Sequence, residues 1–265
     1  MKIDYNNKKI IIADLDGTLA PSKGKIDNEM SELILKLLNY KQFAVISGGT
    51  YKQFENEFIS GLRIKRKQEY IEKLYLMPTC ATSFYKFRFN KARKTGKWIK
   101  IYEENLTEHE KKKILHAFEI ALKNAGYTMP KRRYGKIIED RGTQITFSGL
   151  GQNAPLELKN KWDPDLKKRK KIKRELKKLI PEFEIRLGGT TSIDITRKGI
   201  DKAYGIRKLS KYLKFRLNEM LFIGDALFKD GNDYPVKKVG VDCIAVSGPE
   251  DTKKVLRKII DNSST

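Results

Sequence analysis

The amino-acid sequence predicts an α/β protein: a doubly wound core around a parallel sheet, with an α+β cap domain inserted into it. Short apolar runs rich in β-branched residues alternate with amphipathic helical patterns over residues 8–60, and the same rhythm resumes after Lys202. Such βαβα order builds a parallel sheet with right-handed crossovers. Between the two stretches the pattern changes to aromatic–polar alternation, hairpin turns and two helices, which reads as an antiparallel insertion.

Residues 8–14 form the first strand, because Ile10-Ile11-Ile12-Ala13 is a continuous apolar run too short for a helix. Asp27 or Asn28 caps a helix over 29–39 whose apolar face is Met30, Leu33, Ile34 and Leu37. A strand at 42–47 and a helix at 50–60 follow. Phe84, Phe87 and Phe89 then alternate with polar residues, Lys94-Thr95-Gly96-Lys97 makes a turn, and Trp98 to Tyr102 returns as the second strand of a hairpin. A helix over 107–125 stops before Gly126, residues 136–149 alternate like strands, and a charged helix covers 164–179. Strands at 183–187 and 191–196 flank Gly188-Gly189. The last elements are a helix at 201–213, strands at 219–224 and 241–246, and a helix at 250–261. These assignments give a core of residues 1–86 with 188–265, and a cap of residues 87–187.

The chain of 265 residues is long enough for one large or two modest hydrophobic cores. No stretch approaches the ~20 apolar residues of a membrane span. The N-terminus lacks the apolar region of a signal peptide. No membrane partner is therefore expected, and the expected location is cytoplasmic. Cys80 and Cys243 have no metal-ligand spacing and read as reduced core thiols. The net charge is +23, but the densest basic run, Lys167 to Lys178, keeps an apolar stripe of Ile172, Leu176 and Leu179. That run reads as the solvated face of a helix. Nucleic acid is not the expected partner despite the charge, which suits attraction of small anionic substrates instead.

The chemistry is concentrated in Asp14-Leu15-Asp16-Gly17-Thr18, where the first strand ends in two carboxylates spaced i, i+2. Alternation along a strand puts Asp14 and Asp16 on one side, at the sheet end where α/β proteins bind ligands. Two carboxylates forced together need a cation or a proton between them. Gly17 allows a sharp turn and Thr18 adds a hydroxyl. The arrangement suits a carboxylate nucleophile, a neighbouring acid/base and a bound Mg²⁺.

This segment resembles the first motif, D-x-D-G-T, of the haloacid dehalogenase superfamily. Three further segments follow in that superfamily's order: Val45-Ile46-Ser47-Gly48-Gly49, Lys198-Gly199-Ile200-Asp201-Lys202, and Phe222-Ile223-Gly224-Asp225 with Gly231-Asn232-Asp233. Within the superfamily the capped subfamily IIB fits best. Ala20 to Ile26, Arg141 to Ser148 with Gly151, and Gly188 to Asp194 resemble the eukaryotic-type phosphomannomutases and related sugar-phosphate phosphatases. The similarity spans most of the chain apart from roughly residues 55–130.

The resemblance implies a role for each matched residue. Asp14 is the nucleophile that forms an aspartyl-phosphate, and Asp16 is the general acid/base. Asp14, Asp16 through its backbone carbonyl, Asp225, Asn232 and Asp233 form the Mg²⁺ site. Ser47, Gly48 and Gly49 bind the phosphate, and Lys202 neutralises charge on its oxygens, with Lys198 as a rival for that role. Arg141, Gln152, Ser192, Asp194 and Lys23 bind the sugar phosphate from the cap and the loop after the first motif. A homodimer through the cap, which closes over the site, is the arrangement related enzymes often adopt.

Two residues depart from the mutase pattern: Gln152 and Lys23 stand where phosphomannomutases carry Arg. A mutase has to retain a bisphosphorylated intermediate, and a neutral amide gives up a charge-assisted bond of ~1.5–3 kcal/mol. Arg132, Arg133 and Arg186 are the cations available to compensate. The expectation is therefore Mg²⁺-dependent hydrolysis of a small sugar phosphate. Interconversion of mannose 6-phosphate and mannose 1-phosphate is the alternative, and a nucleic-acid-end phosphatase a minor one.

Overall fold

A computed structural model describes residues 3–22, 24–64, 68–229 and 231–263. In chain order the regular elements begin with β1 (Ile10–Asp14), α1 (Asn28–Leu37), β2 (Gln42–Ile46), α2 (Tyr51–Glu57), β3 (Leu74–Met77), the single turn α3 (Pro78–Ala81), β4 (Ser83–Asn90) and β5 (Thr95–Glu103). Then come α4 (Glu108–Asn124), β6 (Ile138–Asp140), β7 (Ile145–Ser148), α5 (Leu156–Trp162), α6 (Lys167–Leu179), β8 (Phe183–Gly188) and β9 (Ser192–Arg197). The chain ends with α7 (Lys202–Leu213), β10 (Met220–Gly224), α8 (Tyr234–Lys238), β11 (Asp242–Ala245) and α9 (Pro249–Ser263). Among the described residues no helix is long and apolar enough to cross a membrane.

The chain divides into two units, residues 1–103 with 201–265, and residues 104–200. The first unit is built on a seven-stranded sheet of order β11-β10-β1-β2-β3-β4-β5. Its first five strands run parallel and the β4–β5 hairpin is antiparallel. Ile10, Ile11 and Ile12 are fully buried because apolar side chains cover both faces of β1. This is why the strand reads as an unbroken apolar run rather than an alternating one. Asp27, not Asn28, is the N-cap of α1 and accepts the Met30 N–H at 2.8 Å. Thr50 and Gln53 close a capping box on α2.

The second unit is a four-stranded antiparallel sheet of order β6-β7-β9-β8. Ile145, Phe147, Ile185, Ile193 and Ile195 form its apolar face, packed with Ile114 and Phe118 of α4 and Ile172 and Leu176 of α6. The opposite face carries the polar residues that alternate with them.

Both expected domain boundaries shift. The β4–β5 hairpin, expected to open the cap at residue 87, extends the sheet of the first unit, because β4 is apolar on both sides. Tyr85 and Phe87 join one core cluster and Phe84 the other. Residues 188–200, expected in the core, belong to the second unit, because β9 pairs with β7 and β8. The insertion therefore runs from 104 to 200 rather than from 87 to 187.

Candidate active site

Strand β1 ends at Asp14, which is 3% exposed. Its Oδ1 accepts the Leu15 N–H at 2.8 Å and lies 2.7 Å from Lys202 Nζ. Lys202 is the first residue of α7, whose N-cap Asp201 accepts the Tyr204 N–H. The cap fixes where the helix starts, and so where the ammonium is delivered. Lys202 Nζ also donates to Asp233 Oδ1 at 2.5 Å, and the other oxygen of Asp233 accepts the Ala226 N–H at 3.0 Å. Asp225, half-buried just after β10, is tied to Thr18. Its N–H donates to Thr18 Oγ1 at 3.1 Å, and that hydroxyl donates back to Asp225 Oδ1 at 3.3 Å.

Two glycines make this approach feasible. Gly17 has φ +78°, and a Cβ there would sit 2.5 Å from Asp225 Oδ2. A Cβ at Gly224 would collide with Asp233 Oδ2.

Carboxylate oxygens of Asp14, Asp225 and Asp233 lie within 4.8 Å of one another. With all three ionised, the Lys202 ammonium would leave two negative charges in excess among the described residues. Burial lifts the Asp14 carboxyl to about 7, with Lys202 opposing and Asp233 adding to the rise. Burial and Asp233 likewise raise Asp225. Burial works against the Lys202 ammonium, yet Asp14 and Asp233 together hold it above its ordinary value. An all-oxygen donor set with an excess charge of two fits a hard divalent cation such as Mg²⁺.

Asp16 is expected to reach the metal through its backbone carbonyl and Asn232 through its amide, so neither belongs to this set of side-chain carboxylates. Asp16 lies beyond the end of β1, in a turn closed by the Gly17 N–H to the Ala20 carbonyl at 2.8 Å, so strand alternation does not set its direction. Asn232 is exposed. Ser47 is buried directly after β2, and its Oγ accepts the Gly49 N–H at 3.1 Å. Ser47, Gly48 and Gly49 thus form the loop at the carboxyl end of the strand beside β1. Lys198 is exposed, and the cation bonded to Asp14 is Lys202. Lys23 lies outside the described residues.

In the second unit, the polar sheet face gathers the expected substrate residues. Arg141 donates from Nε to Glu139 at 2.7 Å and from a terminal nitrogen to Gln152 Oε1 at 3.0 Å. Arginine can only donate, so Gln152 must offer its oxygen. The Gln152 Nε2 donor is left buried without a partner among the described residues. Asp194 Oδ1 accepts from Thr146 Oγ1 at 2.7 Å and from Gln144 Nε2 at 3.2 Å. Ser192 and Ser148 share a hydrogen bond at 3.1 Å. Burial raises the Asp194 carboxyl, with the Arg141 charge pulling the other way and Arg186 and Glu139 also felt. Of the cations expected to compensate for Gln152, Arg186 is near this cluster, whereas Arg132 and Arg133 are exposed.

Thr18 is expected only as a nearby hydroxyl, and Glu139, Gln144 and Thr146 are not expected at either cluster. The polar residues alternating through Gln144-Ile145-Thr146-Phe147-Ser148 are the signal that marks the last two of them.

A family model described as eukaryotic phosphomannomutase matches residues 30–262. The chain is similar to the phosphomannomutase of Saccharomyces cerevisiae, 26% identical over 262 residues, covering 95% of this chain and 94% of that one. It is also similar to human phosphomannomutase 1, 26% identical over 263 residues, covering 94% and 91%. Among solved structures, an N-terminally truncated IMP-nucleotidase of Plasmodium falciparum superimposes with a TM-score of 0.70 at 19% identity, over 95% of this chain and 70% of that one. A haloacid dehalogenase-like hydrolase from Bacteroides thetaiotaomicron gives 0.60 at 17% identity, over 95% and 99%. These structural likenesses establish the fold. The sequence match carries the assignment further: the chain is an enzyme of the eukaryotic phosphomannomutase family, within the haloacid dehalogenase superfamily.

Proposed function

We propose that the chain is a Mg²⁺-dependent phosphoryl-transfer enzyme that interconverts mannose 6-phosphate and mannose 1-phosphate. The observation that carries this reading is the cluster of Asp14, Asp225 and Asp233, with Lys202 bonded to Asp14 and Asp233, in a chain whose relatives are named phosphomannomutases. Hydrolysis is the expectation that Gln152 suggests on its own, and the relatives support interconversion instead.

Asp14 attacks phosphorus in line. A carboxylate oxygen–phosphorus bond forms, the bond from phosphorus to the sugar oxygen breaks, and that oxygen takes its proton from Asp16. The aspartyl-phosphate gives its phosphoryl group to the free hydroxyl of a sugar monophosphate, with Asp16 accepting the hydroxyl proton, and the bisphosphate so formed returns its other phosphoryl group to Asp14 by the first step again. Asp14, Asp225 and Asp233 would hold Mg²⁺, and Asp16 would add its carbonyl. The ion supplies charge stabilisation on the transferring phosphoryl oxygens when bound. Lys202 adds a second positive charge beside Asp14, and Ser47 donates its hydroxyl to a phosphoryl oxygen. In the second unit, Arg141, Gln152, Ser192 and Asp194 recognise the sugar and its distal phosphate.

Net hydrolysis is the second reading. Arg141 already bonds Glu139 and Gln152, which weakens its hold on a second phosphate. The test is incubation with Mg²⁺ and mannose 1-phosphate, with and without a hexose 1,6-bisphosphate, following mannose 6-phosphate and free phosphate together. Bisphosphate-dependent formation of mannose 6-phosphate with little free phosphate supports interconversion. Phosphate release without the isomer replaces it with hydrolysis.

A further inference from the structure

We propose that the left-handed turn Thr79-Cys80-Ala81 is a positioning element of the phosphate site, built to hold the Ser47–Gly49 loop against helix α7. The inference rests on the reading of Ser47 as a phosphate ligand.

All three residues have positive φ, 49°, 55° and 68°, and none is glycine. L-residues visit this region singly and at an energetic cost, and such strain persists only where the surroundings over-determine it. Those surroundings can be named. The Thr79 N–H donates to the Gly49 carbonyl at 2.9 Å, and the Cys80 N–H donates to the Ser47 carbonyl at 2.9 Å. Successive N–H groups point to opposite sides of an extended strand, whereas a helical turn aims both the same way. The turn therefore grips two carbonyls of one loop at once. Because C=O and N–H are fixed within one planar peptide unit, holding the Ser47 carbonyl also sets the direction of the Gly48 N–H.

The rest of the turn is anchored away from the loop. Thr82 Oγ1 bonds the Thr79 carbonyl at 2.8 Å and the Thr79 hydroxyl at 2.7 Å, and Tyr102 Oη donates to the Ala81 carbonyl at 3.0 Å. On the other side lies α7. A Cβ at Gly205 would stand 2.8 Å from Ala81 Cβ and would collide with Ile46 Cδ1. Glycine at 205 thus lets the turn and the end of β2 seat directly on the helix that delivers Lys202. Ser47 and Lys202, which come from distant parts of the sequence, are spaced by this packing.

The test compares binding of inorganic phosphate, by titration calorimetry with Mg²⁺, in wild type, Cys80→Val and Cys80→Gly, together with thermal unfolding. Valine resists the left-handed region, so Cys80→Val should release the carbonyls and weaken phosphate by about tenfold or more, one lost hydrogen bond's worth. Glycine accepts the conformation freely, so Cys80→Gly should bind phosphate within about twofold of wild type and unfold at a higher temperature. If Cys80→Val does not fold, Gly205→Ala takes its place, with the same weakening expected from a displaced turn. A folded Cys80→Val or Gly205→Ala variant that binds phosphate as wild type does would overturn the proposal. So would a Cys80→Gly variant as weak as valine, since the thiol rather than the backbone would then matter. Wild type that binds no phosphate removes the parent reading as well. Wild-type binding with unaffected variants removes the turn alone.

Discussion

Lys202 holds the acid cluster together as a single cation between Asp14 and Asp233. Breaking a buried pair by removing one partner costs about 3–5 kcal/mol, because the remaining charge stays buried. Lys202→Met should therefore unfold at a lower temperature and turn over at least about a hundredfold more slowly. A bound divalent cation shares the compensation, so the loss of melting temperature should be larger in chelator than in Mg²⁺. Equal losses in the two conditions would mean that no cation sits at these carboxylates. Asp14, Ser47, Lys202 and Asp225 were legible in the sequence because each closes a strand or opens a helix in a recognisable motif. Thr18 was read only as a nearby hydroxyl, and its bond to Asp225 joins residues 207 apart in sequence, which no local pattern reveals. Asp16 lies two residues past the end of the strand, so alternation along β1 says nothing of where its side chain points.

Helix α4 starts with a reciprocal cap between Thr107 and Glu110, and Glu110 also takes two bonds from Arg197 at the end of β9, at 2.8 and 2.7 Å. The Arg197 guanidinium, with the Thr107 N–H, lowers the Glu110 carboxyl to about 2. A carboxyl lowered in the folded state contributes stability that is present above its ordinary value near 4.5 and lost as pH falls towards 2. Glu110→Gln should accordingly flatten the acid limb of unfolding between those values, by only a modest amount because the pair is partly exposed. Circular dichroism melts across that window would check it, and an unchanged acid limb would remove Glu110 as a contributor. Elements such as α1 and α4 were readable because cap and apolar stripe agree. Strand β3 leaves no signal in the sequence because Leu-Tyr-Leu-Met is four residues long with no alternation. The hairpin β4–β5 is legible in the sequence but the sheet it joins is not, since pairing partners depend on burial of both faces.

For the molecule as a whole, the α/β core with an α+β insertion was legible from the order of patterns, whereas the edges of the insertion were not. Boundaries at 103/104 and 200/201 are set by which sheet β5 and β9 join, and sheet membership is a long-range property. The candidate metal cluster lies wholly in the unit of residues 1–103 with 201–265. Mg²⁺ at about 100 times its dissociation constant should stabilise the folded state by about 2.7 kcal/mol. Hydrogen exchange should slow at the ends of β1 and β10 and stay unchanged in the sheet of β6 to β9. Asp225→Asn should remove most of this protection. Slowing in the second sheet alone would place the cation elsewhere.

The proposed chemistry turns on a covalent phosphoryl group at Asp14, and peptide mapping after acid quench tests it directly. Wild-type protein mixed with Mg²⁺ and a hexose 1,6-bisphosphate should carry phosphate on the peptide containing Asp14. Asp14→Asn should be folded, unphosphorylated and inactive. Phosphate found on another residue, or an Asp14→Asn variant that still turns over, would overturn the assignment of Asp14 as nucleophile.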